Sequence, residues 1–197
     1  MGEHICFRRN ERLATVNPHW RGNPVVRGKF VNRQHRFRPG MGSVLKWRLS
    51  PNPQRKEKKS VKWSPKLNYL RSLDGVVGNS LIWLGHNSFF LQLGRKRIMF
   101  DPVFGDIPFV KRQSDFPANP DIFTDIDYLL ISHDHFDHLD KQSVARLVKN
   151  NPGMKLFCGL GTGELIKGWF PELEVTEAGC CLLYTSPSPE TTLHLVC

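Results

Sequence analysis

From Ser80 onward the apolar residues fall into short runs of strand length. These are Ser80-Leu81-Ile82-Trp83-Leu84, Phe89-Phe90-Leu91-Gln92-Leu93 and Arg97-Ile98-Met99-Phe100-Asp101, with a Gly94-Arg95 turn between the last two. Short apolar runs rich in aromatic and branched side chains and broken by turn residues predict strands, here a β-meander that opens the folded domain. A proline-rich stretch with Pro102, Pro108, Pro117 and Pro120 follows and predicts a loop.

The pattern then alternates. Tyr128-Leu129-Leu130-Ile131-Ser132 is a buried-strand run, and Asp140 to Lys149 carries a helical period closed by Asn150-Asn151-Pro152-Gly153. Lys155-Leu156-Phe157-Cys158 predicts a strand, Gly159-Leu160-Gly161 a turn, Thr162 to Trp169 a helix, and Leu173 to Thr176 another strand. After Gly179 neither period continues through Cys180-Cys181-Leu182-Leu183-Tyr184 and beyond. The expected division is therefore 1–70, a basic and largely irregular extension; 71–179, the folded domain; and 180–197, a non-native or truncated tail.

Charge changes the picture at the N-terminus. Residues 1–70 hold 17 Lys or Arg against 3 acidic residues, within a chain of net charge +10. Such a segment suits nucleic acid, anionic lipid or a phosphorylated substrate, and equally a solvated extension. Trp20, Phe30, Phe37 and Trp47 are its candidates for pinning to the core. No apolar run reaches the roughly 18 residues of a membrane span, and the N-terminus shows no secretory h-region, so cytoplasmic residence is expected, with peripheral membrane contact left open. Five cysteines at irregular spacing, with no C-x-x-C pair, argue against a disulfide framework and a zinc knuckle and are read as free thiols.

The chemistry is concentrated at His133-x-His135-x-Asp137-His138, where the Tyr128 run ends. Imidazole and carboxylate are zinc-type ligands, and this grouping arises by chance in roughly one shuffled chain in a thousand. His133 and His135 project together to one metal, and Asp137 and His138 reach a second. Metal coordination brings the pKa of bound water to about 7, which makes hydrolysis the natural reaction. Asp134 alternates away from the metal side, and Asp140 is placed to cap the following helix. His4, His35 and His194 have no partners in sequence. His86 is weighed as facing the site against being a structural histidine between two strands.

His133-Asp134-His135-Phe136-Asp137-His138-Leu139-Asp140 resembles the signature of the metallo-β-lactamase superfamily. Trp83-Leu84-Gly85-His86-Asn87-Ser88-Phe89 and Phe100-Asp101-Pro102-Val103-Phe104 are similar to the branch of N-acyl-phosphatidylethanolamine-hydrolysing phospholipase D and the ascorbate-phosphate lactonases. Gly28-Lys29-Phe30-Val31-Asn32 and Leu45-Lys46-Trp47 extend the likeness to the phospholipase-like members.

The resemblance implies an α/β chain with the first half of an αββα sandwich, carrying a site for two zinc ions or other divalent metals. His133 and His135 would hold one ion, Asp137 and His138 the other. Asp137 would also orient the attacking hydroxide, and Asp101 would accept an N–H from a ligating histidine. The substrate would be a phosphodiester or lactone, small-molecule or phospholipid-like. The family's later ligands, a histidine after a strand, an aspartate in a Gly-Asp-Thr-Gly-like segment and a last histidine, have no match here, so weak turnover is expected from these four donors. Two alternatives stay open: a nucleic-acid-processing metallo-hydrolase, and a non-catalytic interaction module working through the basic segment.

Overall fold

The computed structural model describes residues 4–13, 19–31, 40–61, 66–107, 112 and 114–179. Near the N-terminus β1 (Cys6–Arg8), β2 (Asn23–Val26) and β3 (Lys29–Phe30) form a small antiparallel sheet. Helices α1 (Met41–Leu49) and α2 (Arg55–Ser60) follow and bury no residue. The segment expected to be largely irregular thus contains regular elements. Its strands are too short for a readable period, and they are held by pairings such as Phe7 with Pro24 and Val25 with Phe30.

The second sheet is the body of the protein. It runs in the order β4 (Ser80–Gly85), β5 (Ser88–Leu93), β6 (Lys96–Phe100), β7 (Tyr128–Ile131), β8 (Lys155–Gly159), β9 (Glu174–Ala178). The first three strands are antiparallel hairpins, and β6 through β9 are parallel. Helix α3 (Lys141–Asn150) connects β7 to β8, and α4 (Thr162–Trp169) connects β8 to β9. Both crossovers step the same way across the sheet, and right-handed connections then put both helices on one face.

That face is the core. Leu84, Phe90, Met99, Leu129 and Leu156, one from each of five neighbouring strands, are fully buried with Val144 and Leu147 of α3 and Ile166 of α4. Burying a side chain of this size stabilises the fold by about 1.5–3 kcal/mol. Phe123, from the long loop before β7, stacks on Phe104 at 5.7 Å and closes one end.

The N-terminal sheet is tied to the last strand. Arg8 pairs with Glu164 at 2.6 Å and with Glu177 at 3.4 Å, and Asn10 donates to the Glu177 carbonyl. Trp20 lies against Gly179 and Phe30 against Gly161, so these two aromatics do meet the body. Trp47 does not: it is 78% exposed, because α1 presents no buried face to pack. Phe37, His35, Pro108, Asn32, His194 and residues 180–197 lie outside the described residues.

Candidate metal centre

Sheet direction brings the site together. β4, β6 and β7 point the same way, since two hairpin reversals separate β4 from β6 and β7 is parallel to β6. Their C-terminal ends therefore share one edge, where three loops meet: His86-Asn87 after β4, Asp101 after β6, and Ser132 to His138 after β7.

The metal-type donors stand as two pairs. His133 Nε2 is 3.0 Å from His135 Nδ1, and Asp137 Oδ2 is 3.6 Å from His138 Nε2. The rings of His133 and His138 lie 3.9 Å apart, so the pairs adjoin. Among the described residues no three His, Cys, Asp or Glu side chains form a set that could hold an ion by themselves. The spacing of each pair suits a small divalent ion: nitrogen or oxygen donors about 2.0–2.2 Å from a tetrahedral ion stand about 3.3–3.6 Å apart, near the 3.0 and 3.6 Å seen here. Each pair would supply two donors to such an ion.

Asp101 anchors the assembly from below. Its Oδ1 accepts from Ser132 N–H at 2.7 Å, and its Oδ2 accepts from Ser132 Oγ at 2.7 Å and from His138 Nδ1 at 2.8 Å. The residue is buried at a φ of 40°, a left-handed conformation that costs a side-chain-bearing residue of order 1–2 kcal/mol. Its backbone is held in place by Asp101 N donating to Leu130 O and Ser88 Oγ donating to Asp101 O.

The β4–β5 hairpin reaches over from the side. His86 Nε2 is 2.8 Å from Asp137 Oδ2, and Asn87 Nδ2 is 2.9 Å from His138 Nε2. His86 too has positive φ, at 51°, after Gly85 at 99°, and Trp83 Nε1 donates to the His86 carbonyl. A left-handed glycine followed by a strained histidine turns the loop toward Asp137.

Charge follows from these contacts. The hydrogen bond from His86, with lesser help from the backbone and His138, outweighs burial and holds Asp137 below the usual carboxylate range. Burial first, then the neighbouring His138 and His135, hold His133 below the usual imidazole range, a direction that favours the neutral form with a lone pair to offer.

All six residues singled out from the sequence, His133, His135, Asp137, His138, Asp101 and His86, lie at this edge. Asp134 is exposed, and Asp140 caps α3 by accepting from Ser143 N–H. Sequence reasoning missed Ser132 and Asn87; each adjoins a histidine at a strand end, and Asn87 also lies in the Trp83-to-Phe89 segment that carries the resemblance. A cleft of about 720 Å³ lies at the opposite edge, lined among others by Arg97, Asp125, Asp127 and Asn151. Arg97 is paired with Asp125 and Asp127 with Lys96, which leaves that cleft without the donors of the histidine edge.

Residues 96–194 match the model of the beta-lactamase superfamily domain. N-acyl-phosphatidylethanolamine-hydrolyzing phospholipase D 1 of Caenorhabditis elegans is 28% identical over 160 residues, which is 73% of this chain and 45% of that protein. A UPF0173 metal-dependent hydrolase of Saccharolobus solfataricus is 35% identical over 77 residues, 39% of this chain and 31% of that one. The chain thus spans less than half the length of these relatives. Among solved structures, CmlA, a diiron beta-hydroxylase from Streptomyces venezuelae, aligns at a TM-score of 0.36 and 22% identity over 52% of this chain and 21% of its own.

Proposed function

The chain belongs to the beta-lactamase superfamily, and on that footing we propose that its histidine edge is the metal centre of a hydrolase acting on phosphodiester or lactone bonds. The observation that carries this reading is the pairing of His133 with His135 and of Asp137 with His138 on adjoining rings. Two divalent ions, zinc by donor type, would be held by those pairs and supply a hydroxide nucleophile at neutral pH.

The protein's own part is orientation. His133 and His135 present ring nitrogens to one position, and His138 presents Nε2 beside the Asp137 carboxylate. Asp137 is further steadied by His86 at 2.8 Å, and its carboxylate would orient the nucleophile that the metal supplies when bound. With two protein donors for each ion, binding and turnover are expected to be weak from these residues alone.

The phospholipase relative and the basic segment together favour a phospholipid-like substrate and contact with an anionic membrane surface. Among the described residues no helix is long and apolar enough to cross a membrane. However, α1 exposes Met41, Leu45, Trp47 and Leu49 beside Lys46 and Arg48, and α2 adds four further basic side chains. Co-sedimentation with phosphatidylserine vesicles is expected. Preferential binding of an oligonucleotide would instead favour the nuclease alternative.

The deciding experiment is zinc-dependent hydrolysis of a chromogenic phosphodiester and of a simple lactone by the chain. His135→Ala and Asp137→Ala are each expected to reduce turnover to background. Retained zinc-dependent activity in both variants would sink the assignment.

A further inference from the structure

Ser132 touches three side chains at the centre with one hydroxyl. Its Oγ donates to Asp101 Oδ2 at 2.7 Å, and it lies 2.9 Å from His133 Nδ1 and 3.1 Å from His138 Nδ1. A carboxylate only accepts, and a hydroxyl has a single hydrogen, so the contact with Asp101 uses that hydrogen and leaves Oγ as an acceptor. The contact with His133 is then attractive only if Nδ1 carries the ring hydrogen. A neutral imidazole has one, so His133 Nε2 is left with a bare lone pair, and this is the atom that faces His135.

Asp101 acts on His138 in the same way without an intermediary. Its Oδ2 accepts from His138 Nδ1, which leaves Nε2 without a hydrogen; there it can accept from Asn87 Nδ2 at 2.9 Å, and it stands 3.6 Å from Asp137 Oδ2. Ser132 meets the same carboxylate twice, since its backbone N–H donates to the other oxygen, Asp101 Oδ1, at 2.7 Å and so keeps the Ser132 backbone beside Asp101.

We propose that Ser132 is a positioning residue that carries the hold of Asp101 from one donor pair to the other. One buried carboxylate fixes the tautomer of His138 directly and that of His133 through the Ser132 hydroxyl. The purpose of this relay rests on the metal-centre reading, but the tautomers it sets exist without metal. Partners behind metal-ligating histidines typically contribute 10–100-fold in metal affinity, and here one carboxylate would serve both pairs.

The test uses the whole chain in two measurements. Long-range ¹H–¹⁵N spectra of the metal-free protein read the histidine tautomers, and competition with a chromogenic chelator reads zinc affinity. His133 and His138 are both expected as Nδ1–H in the unsubstituted chain; finding His133 as Nε2–H there overturns the relay without any variant.

In Ser132→Ala, His133 is expected to move toward the Nε2–H form while His138 stays, with zinc binding weakened about 10–100-fold. Ser132→Thr, which keeps the hydroxyl, is expected to restore both. An unchanged His133 tautomer in Ser132→Ala, or a loss that threonine does not rescue in a folded protein, overturns the proposal. Tautomers that respond as stated in a chain that takes up no zinc would uphold the relay and overturn the metal reading instead.

Discussion

Cys158 shows how position decides the chemistry of a residue. It is buried on the core face of β8, and burial first, with the charge of Glu177 second, pushes its thiol up to about 12. The thiolate is the reactive form, so Cys158 is expected to resist alkylation at mild pH until the chain unfolds, while exposed Cys6 is accessible. Peptide mapping after iodoacetamide treatment checks this, and native labelling of Cys158 would contradict its burial. Asp127 behaves oppositely. Burial pushes its carboxyl up, but hydrogen bonds from Lys96 and the Arg97 N–H, with their charges, hold it below the usual range. A carboxyl lowered on folding adds stability above its unfolded pKa of about 3.9 and loses it as pH falls through the folded value. Lys96→Met is therefore expected to raise the Asp127 titration, as followed by carboxyl NMR, with a small effect at neutral pH because the Lys96 side chain is more than half exposed to solvent.

At the scale of elements, α3 is the most self-explanatory. Asp140 caps it by accepting from Ser143 N–H at 2.9 Å and from Ser143 Oγ at 2.6 Å, and Ser143 Oγ in turn accepts from Phe104 N–H at 2.8 Å. Asp140→Ala is expected to cost about 1 kcal/mol, measured by urea denaturation, with the site's donors unmoved. The bounds of α3, α4, β7 and β8 were legible because a strand or helix with one buried face writes its period into the chain. The strands of the N-terminal sheet were not. They depend on Arg8 and Asn10 reaching Glu164 and Glu177, more than 150 residues away, and no local period encodes that. Glu177 also accepts from the N–H groups of Gly161 and Gly163 at the start of α4, so it joins three elements. Glu177→Gln is expected to loosen the N-terminal sheet, seen as faster proteolysis between residues 4 and 31.

The whole molecule has two unlike faces. With α3 and α4 on one side of the main sheet, the other presents Leu81, Trp83, Phe89, Leu91, Ile98, Phe100, Tyr128, Leu130 and Phe157 in cross-strand register. Leu81 is 66% exposed and Trp83 54%, and the other seven are half-buried. A continuous apolar patch of this kind favours association. The isolated chain is expected to bind an apolar fluorescent dye and to associate with concentration in sedimentation velocity, and Trp83→Lys with Ile98→Lys to reduce both. Monodisperse behaviour without dye binding would show that the face is covered.

By itself the sequence determined the strand and helix alternation from Ser80 to Thr176, the helix cap at Asp140, and the type and spacing of the donors in His133-x-His135-x-Asp137-His138. These are local matters, set by side-chain period and by the atoms each residue carries. Only the tertiary structure decided that Asp101, 37 residues before His138, and His86, 51 before Asp137, would stand at hydrogen-bond distance from them. It also decided that Asn87 and Ser132 would join them. Those contacts depend on which way each strand runs and which strands adjoin, because loops meet only when their strands end at the same edge of the sheet. Strand direction is a property of the assembled hydrogen-bonded ladder, and no short stretch of sequence contains it.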